Sequence, residues 1–435
     1  MSLRHRLEAG MAAQAAHAAP SPLRDDAGMR IRLHRLLLER IDLAAMAALP
    51  PAEAQAQLGA LLSETLAAER IAVADAERRL LLRDIRHEMF GLGPLEPLLA
   101  DPGISDILVN GAAQVWVERR GRLERSPARF HDNAHLMKIV ERIVSRVGRR
   151  IDESSPMVDA RLADGSRINV VIPPLALDGP CLSIRRFAQS PLTVEDLCRH
   201  GSATPEIARY LAQLARARVS MLISGGTGSG KTTLLNILSG YIDAGERIVT
   251  IEDAAELQLR QPHVVRLETR PANIEGRGEV TTRALLKNAL RMRPDRIIVG
   301  EVRGAEAIDM LQAMNTGHDG SLATIHANSP RDALLRLENM LGMAGMALSS
   351  RAARQQIASG IGAIVQVARM ADGQRRIVSV QEVLGLQGED IALQELHAFR
   401  QTGVGRDGAI LGEFHAAGLA SRFAARWHDA AREAA

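Results

Sequence analysis

Aromatic residues are scarce in this chain: two Trp, two Tyr and six Phe in 435 residues. That argues against a stacking platform for single-stranded nucleic acid, which needs a succession of aromatic faces. It also means that the core must be aliphatic. Cysteine is nearly absent. Cys181 and Cys198 alone supply neither a disulfide framework nor a four-cysteine zinc module, and both are expected as reduced thiols. No uninterrupted apolar run reaches the roughly 18 residues of a membrane-crossing helix, so no transmembrane segment is expected. The first twenty residues carry Arg4, His5, Arg6 and Glu8 but no compact apolar stretch, and they read as an Ala-rich leader rather than a secretory signal. An excess of one charge is also lacking. The net charge is +3, although the pI of 9.2 leans basic. That balance predicts no direct nucleic-acid binding. What is present is 46% hydrophobic and 24% charged residues, over a length that suits roughly two to three domains.

The punctuation of the chain divides it. Residues 1–28 read as a flexible tail. Helical periodicity follows over 29–90: Ile31, Leu33, Leu36, Leu37 and Ile41 lie before a stop at Pro50-Pro51, and further helical text runs from Ala52 to Glu69 and from Asp75 to Phe90. Residues 91–190 read as an α+β domain. Ile107–Val109, Val115–Val117 and Cys181–Phe187 are strand candidates, and two more alternate around Asp164-Gly165 as a hairpin. Asp132 is expected to cap a helix carrying Leu136, Ile139, Val140, Ile143, Val144 and Val147. Residues 191–204 form a linker. From 205 to 435 short apolar strands at 219–224, 247–252, 296–300 and 321–325 alternate with helical text, which is the rhythm of a parallel sheet covered by helices.

The strongest chemical signal lies in that last region. Gly225-Gly226-Thr227-Gly228-Ser229-Gly230-Lys231-Thr232 spell G-x-x-x-x-G-K-[ST], followed by Thr233. An apolar run, Val219–Ser224, leads in and a helical run leads out, the setting that a phosphate-binding loop requires. Glycines let successive backbone N–H groups turn inward, and the new helix aims its positive end at the same anion. Lys231 is expected at the β- and γ-phosphates and the Thr232 hydroxyl at Mg²⁺. The cofactors predicted are therefore ATP and Mg²⁺.

Three later segments say what happens to the phosphate. Arg247–Ile251 is a strand that ends in Glu252 and Asp253. Glu252 is placed to polarise a water, and Asp253 to support the metal; a plainer alternative is a helix N-cap acid. Arg296–Gly300 is a strand that ends in Glu301, placed to hold Mg²⁺ through water or to orient the attacking water. Thr316–His326 sets His318 and His326 on either side of a strand. One of them is expected at the γ-phosphate, and metal ligation is not expected, since no third nitrogen or sulfur ligand stands near in sequence.

GGTGSGKTT, RIVTIEDAAEL, NALRMRPDRIIVGEVRG and TGHDGSLATIHANSPRDAL occur in this order. They resemble the Walker A, Asp box, Walker B and His box of the secretion ATPase superfamily, which includes type II secretion, type IV pilus and type IV secretion motors. Upstream, IDESSPMVDARLADGSRINVVIPP and LSIRRF are similar to the CpaF/TadA branch, which drives Flp/Tad pilus assembly. The resemblance covers roughly residues 85–405. It implies a RecA-like ATPase domain behind a smaller α+β domain, and a cytoplasmic homohexamer acting on inner-membrane platform proteins. It also implies arginines reaching the phosphates: Arg167 and Arg185 fit best, with Arg161 and Arg186 as close alternates. The lack of a four-cysteine module favours this branch over type II secretion. A conjugation-type DNA-transfer motor and a nucleotide-regulated scaffold with little turnover are the alternatives.

Overall fold

The computed structural model describes residues 50–69, 71, 73–119, 121–162, 164–186, 192–270, 272, 277–345 and 348–427. The expected tail over 1–28, the helix expected over 29–49 and residue 191 of the expected linker lie outside the described residues. The chain divides into two compact units, one reaching to Arg186 and the other following it.

The first unit opens with two helices, α1 (Pro51–Ala68) and α2 (Asp75–Phe90). Leu58, Leu62 and Leu66 recur every four residues on α1 and pack on Leu81, Ile85 and Met89 of α2. A short α3 (Glu96–Ala100) follows. Strands β1 (Ile104–Asn110), β2 (Val115–Arg119) and β3 (Arg122–Arg125) come next, then α4 (Asn133–Arg146). Strands β4 (Met157–Arg161), β5 (Arg167–Val171) and β6 (Cys181–Arg185) complete a six-stranded sheet of order β3-β2-β1-β6-β5-β4. Asp132 caps α4 by accepting from the His135 N–H at 2.7 Å, as its position predicts. The last carbonyls of α2 are taken by guanidinium groups of α4. Arg142 donates to the Glu88 and Gly91 carbonyls at 2.8 and 2.6 Å, and Arg146 to Phe90 at 2.7 Å. Cations suit the negative end of a helix.

Alternation makes this sheet two-faced. Ile168, Val170, Leu182, Ile184, Ile107 and Val109 are buried with Leu136, Ile139, Val140, Ile143 and Val144 of α4. The residues between them face away. On that open face Arg161, Arg167, Arg185 and Asp106 stand opposite one another in a single row across four strands.

The second unit holds α5 (Val194–Arg199), α6 (Pro205–Arg216) and a nine-stranded sheet. Six strands run parallel in the order β9 (Val264–Glu268), β8 (Ile248–Glu252), β10 (Arg296–Val302), β11 (Leu322–Ile325), β7 (Met221–Gly225), β12 (Ala363–Arg369). An antiparallel meander, β13 (Arg375–Gln387), β14 (Asp390–Val404) and β15 (Ile410–Ala416), extends the β12 edge. Helices cover both faces. On one side lie α6 and α7 (Lys231–Ser239), with Leu211, Leu214, Leu234 and Leu238. On the other are α8 (Thr282–Ala289), α9 (Glu306–Asn315), α10 (Pro330–Met343) and α11 (Ser350–Gly360), with Leu286, Met310, Leu337 and Ile357. Burial on both sides is why β7, β8 and β11 are buried at every position. The α/β, RecA-like reading holds. The alternating rhythm does not announce β9, β12 or the meander, whose strands sit after the helix–strand alternation ends. No helix among the described residues is long and apolar enough to cross a membrane.

The end of the sheet where β10 begins is locked by a buried ion pair. Arg296, with no exposed surface, donates to both Glu246 carboxylate oxygens at 2.7 and 2.8 Å and to the Ala215 carbonyl at 2.7 Å. Arg296→Met leaves Glu246 buried with only Arg218, at 3.3 Å, beside it. The expected loss is about 3–5 kcal/mol, read by denaturant unfolding. Adding Glu246→Leu should restore most of it. A single variant as stable as the parent would show that the pair is idle.

Candidate active site

The parallel strands β7, β8, β10 and β11 end at one rim, where an α/β sheet presents ligand-binding groups. β7 delivers Gly225 there. The loop then turns through Gly228 and Gly230, with φ of +68° and +98°, a backbone region that L side chains rarely adopt. Gly230 is the N-cap of α7, so Lys231, Thr232 and Thr233 form the first turn of that helix. Ser229 is buried and folds its hydroxyl back to the Gly226 carbonyl at 2.8 Å, while Thr227 is exposed. The Lys231 ammonium lies 3.0 Å from the Gly225 carbonyl and 3.0 Å from that of Gly226. Burial lowers its pKa; the nearby Glu301 carboxylate works against that shift and Arg303 works with it.

The two acids differ in character. Glu252 ends β8 almost fully buried, at 3% exposure. One carboxylate oxygen accepts the Glu256 and Leu257 N–H groups at 2.8 and 3.0 Å, and the other is buried without a partner. Burial pushes its pKa up to about 6, against the pull of those two N–H donors. The carboxylate stem passes directly over Gly300. A Cβ there would stand 2.9 Å from Glu252 Cγ, so the position admits only glycine without displacing the acid.

Glu301 is set by an irregularity in β10. Val299 pairs with Ala323 and Val302 with Ile325, so three steps on β10 match two on β11. The additional residue is a bulge at Gly300-Glu301, the kind of kink that re-aims a side chain. One oxygen of Glu301 accepts from Arg303 Nη2 and Nε at 2.5 and 2.9 Å, and the other has no hydrogen bond among the described residues. Arg303 also donates to Asp253 at 3.0 Å, and Asp253 accepts from the Thr282 hydroxyl at 3.2 Å. Lys231, Glu301, Arg303 and Asp253 therefore form one charged group at the rim. Glu252 and Asp253 are not helix N-caps, because β8 runs into irregular backbone and the next helix, α8, is capped by Thr281.

The structure separates the two histidines. β11 pairs with β7 so that Ile325 lies level with Ser224, which brings His326 to the height of Gly225 at the rim. His318 precedes β11 at the opposite end of the sheet, where its Nδ1 lies 3.3 Å from the Ala313 carbonyl. Of the two, His326 is the one at the glycine-loop end of the sheet, and a strand's length separates His318 from it. Arg167 and Arg185 face each other across β5 and β6 in the first unit, and Arg185 reaches Asp106 at 3.3 Å. Arg186 donates to the Asp101 and Ile104 carbonyls, so its guanidinium serves the fold.

Sequence reasoning missed Arg303. It stands two residues after Glu301 in the quoted GEVRG, but nothing in that spacing says that its guanidinium bridges to Asp253, fifty residues away in sequence. It also missed Arg375 of β13, whose Nε donates to the Gly228 carbonyl at 2.9 Å.

Residues 88–403 match the family described as type II/IV secretion system protein. A putative conjugal transfer protein of Mycobacterium tuberculosis is 41% identical over 345 residues, covering 78% of this chain and 97% of its own length. The conjugal transfer protein TrbB of Rhizobium radiobacter is 32% identical, covering 67% of this chain and 86% of its own. Among solved structures, the VirB11 ATPase of the Brucella suis type IV secretion system is 30% identical over 66% of this chain and 95% of its own, with a TM-score of 0.37. With the matched region spanning both compact units, the chain belongs to the type II/IV secretion system family.

Proposed function

We propose that this chain is a cytoplasmic ATP hydrolase, peripheral on the inner membrane. It works as a homohexameric motor that moves protein subunits through membrane platform proteins in pilus assembly or secretion. The observation that carries the hydrolase reading is the convergence at one rim of a phosphate loop, a buried acid with a free oxygen, and a second acid beside Lys231. The pilus-assembly reading is supported by the motifs that resemble the CpaF/TadA branch.

In this reading Lys231 leaves the two loop carbonyls for the β- and γ-phosphates. The oxygen-only set at the rim fits Mg²⁺: the Thr232 hydroxyl makes no hydrogen bond among the described residues, and Glu301 keeps one carboxylate oxygen unpaired, with Asp253 alongside. Bound there, Mg²⁺ would neutralise charge on the phosphate oxygens. The unpaired Glu252 oxygen accepts a proton of the attacking water. Arg167 and Arg185 meet charge developing on the γ-phosphate, and His326 reads its presence from the rim. Water adds to phosphorus, the bond to ADP breaks, and phosphate and ADP leave.

Two measurements test the division of labour. Glu252 with a pKa near 6 is protonated at pH 5 and ionised at pH 8, so kcat/KM should rise through about 6 and level off above 7. Glu301→Gln should retain ATP binding while slowing hydrolysis about a hundredfold or more, roughly 3 kcal/mol of barrier. A parent-like Glu252→Gln would remove the proton-acceptor role, and a mild Glu301→Gln would remove the role given to the second acid.

A second reading, a conjugation-type DNA-transfer motor, is favoured by the names of the relatives from Mycobacterium and Rhizobium. DNA affinity that falls steeply with salt would support it. Tight ATP binding without measurable phosphate release would instead indicate a nucleotide-regulated scaffold.

A further inference from the structure

We propose that Arg375 is a positioning residue for the phosphate loop, an inference that rests on the nucleotide-binding reading of that loop. Arg375 opens β13, 147 residues after the glycine it touches. Its Nε donates to the Gly228 carbonyl at 2.9 Å, and its Cδ lies 3.3 Å from where a Cβ on Gly230 would sit. The stem thus runs along the two left-handed glycines of the loop.

A peptide unit is planar, with its C=O and N–H pointing in opposite directions. Holding the Gly228 carbonyl toward Arg375 therefore turns the Ser229 N–H away from it. An anion-binding nest needs its N–H groups on one side, and each flipped peptide replaces a donor with a repelling carbonyl. Such a flip turns ψ of Gly228 against φ of Ser229, and Gly228, with no Cβ and a φ of +68°, offers little resistance on its side of the peptide. The Ser229 N–H has only a long 3.4 Å contact to the Gly226 carbonyl to hold it. The bond from Arg375 supplies the missing restraint on that peptide.

The platform behind Arg375 is stiff. Arg369 and Arg375 pair across β12 and β13. The turn between them is closed by the Met370 N–H to the Gln374 carbonyl at 2.7 Å and the Gly373 N–H to the Met370 carbonyl at 2.9 Å. Its neighbour Arg376 is occupied by the fold, at the Ile410 carbonyl and over the Phe399 ring. Arg375 is exposed, and Gly228 is its one hydrogen-bond partner among the described residues.

Without the restraint the loop spends part of its time with that peptide turned. The apparent dissociation constant then rises by the inverse of the competent fraction, for ADP and ATP alike, since the peptide serves phosphates common to both. The test is titration of fluorescent ADP and ATP analogues onto the full chain, with thermal melting of every variant. Arg375→Ala should weaken both nucleotides about tenfold, with kcat at saturating ATP nearly unchanged. The variant Arg375→Gln keeps an N–H donor at the same number of bonds from Cα as the Arg Nε, without charge, and should stay within about threefold of the parent. Arg375→Lys keeps the charge but moves the donor one bond outward, and should resemble the alanine variant. Rescue by Lys and not by Gln would overturn the proposal in favour of a direct charge contact with phosphate. Unchanged affinity in the alanine variant, or weakening matched by a general loss of melting temperature in all three, would also overturn it. Lys231→Ala is the control. If it too binds nucleotide like the parent, the nucleotide reading itself fails; if it loses binding while Arg375→Ala keeps it, only the present proposal falls.

Discussion

Replacing Lys231 with alanine is expected to abolish ATP turnover and leave the chain folded. The ammonium is half-buried at the start of α7 and, among the described residues, bonds the carbonyls of Gly225 and Gly226. Its removal therefore exposes two acceptors at a solvent-facing loop and opens no cavity in either cluster that packs the sheet. What is lost is the charge that bridges the β- and γ-phosphates, for which no other lysine in the chain substitutes: Lys138 and Lys287 lie on α4 and α8. A phosphate-release assay at saturating ATP with Mg²⁺ reads the effect, and a melting curve reads the fold. A variant that still hydrolyses ATP near the parent rate removes the hydrolase proposal. A variant that does not fold moves the test to Lys231→Gln, which keeps the stem and loses the charge.

The second large effect is expected outside the unit that carries the loop. Arg167→Ala and Arg185→Ala should each lower kcat about a thousandfold, with ATP affinity changed far less, because a guanidinium that meets developing charge contributes chiefly in the transition state. Both side chains are exposed on the open face of the first sheet, in one row with Arg161 and Asp106. Their replacement should cost little stability. Asp106 holds Arg185 at 3.3 Å, and such an exposed pair is weak enough to give way to phosphate. Mixing separates two arrangements. Arginine-deficient subunits combined with Lys231→Ala subunits should recover part of the activity if the arginines serve a neighbouring subunit, and none if they serve their own. Parent-level turnover in both single variants would make them plain surface residues.

Much of this site is legible in the linear order of residues, and the reason is locality. A phosphate loop is contiguous: strand, glycines, lysine and helix all fall between Met221 and Ser239. The acids Glu252 and Glu301 are equally readable, since each closes a short apolar strand and parallel strands bring their ends to one rim. The hairpin around Asp164-Gly165 and the Asp132 cap are local too, and both form as the pattern predicts. The meander over β13–β15 was not announced, because its long strands pair with each other at an edge and lack the clean alternation of a half-buried sheet.

Sequence alone determined the glycine-rich loop between strand and helix, the two strand-end acids and the layered α/β architecture, because each depends on neighbours along the chain or on burial period. Tertiary structure decided which of these groups can act together. It placed His326 beside the loop and His318 at the far end of β11. It gave Glu252 a buried oxygen without a partner and set Glu301 on a bulge against Arg303. It also brought Arg375 onto Gly228 across 147 residues. Strand register, a bulge and long-range contacts make those choices, and neither Arg303 with Asp253 nor Arg375 with Gly228 falls within one local stretch of sequence.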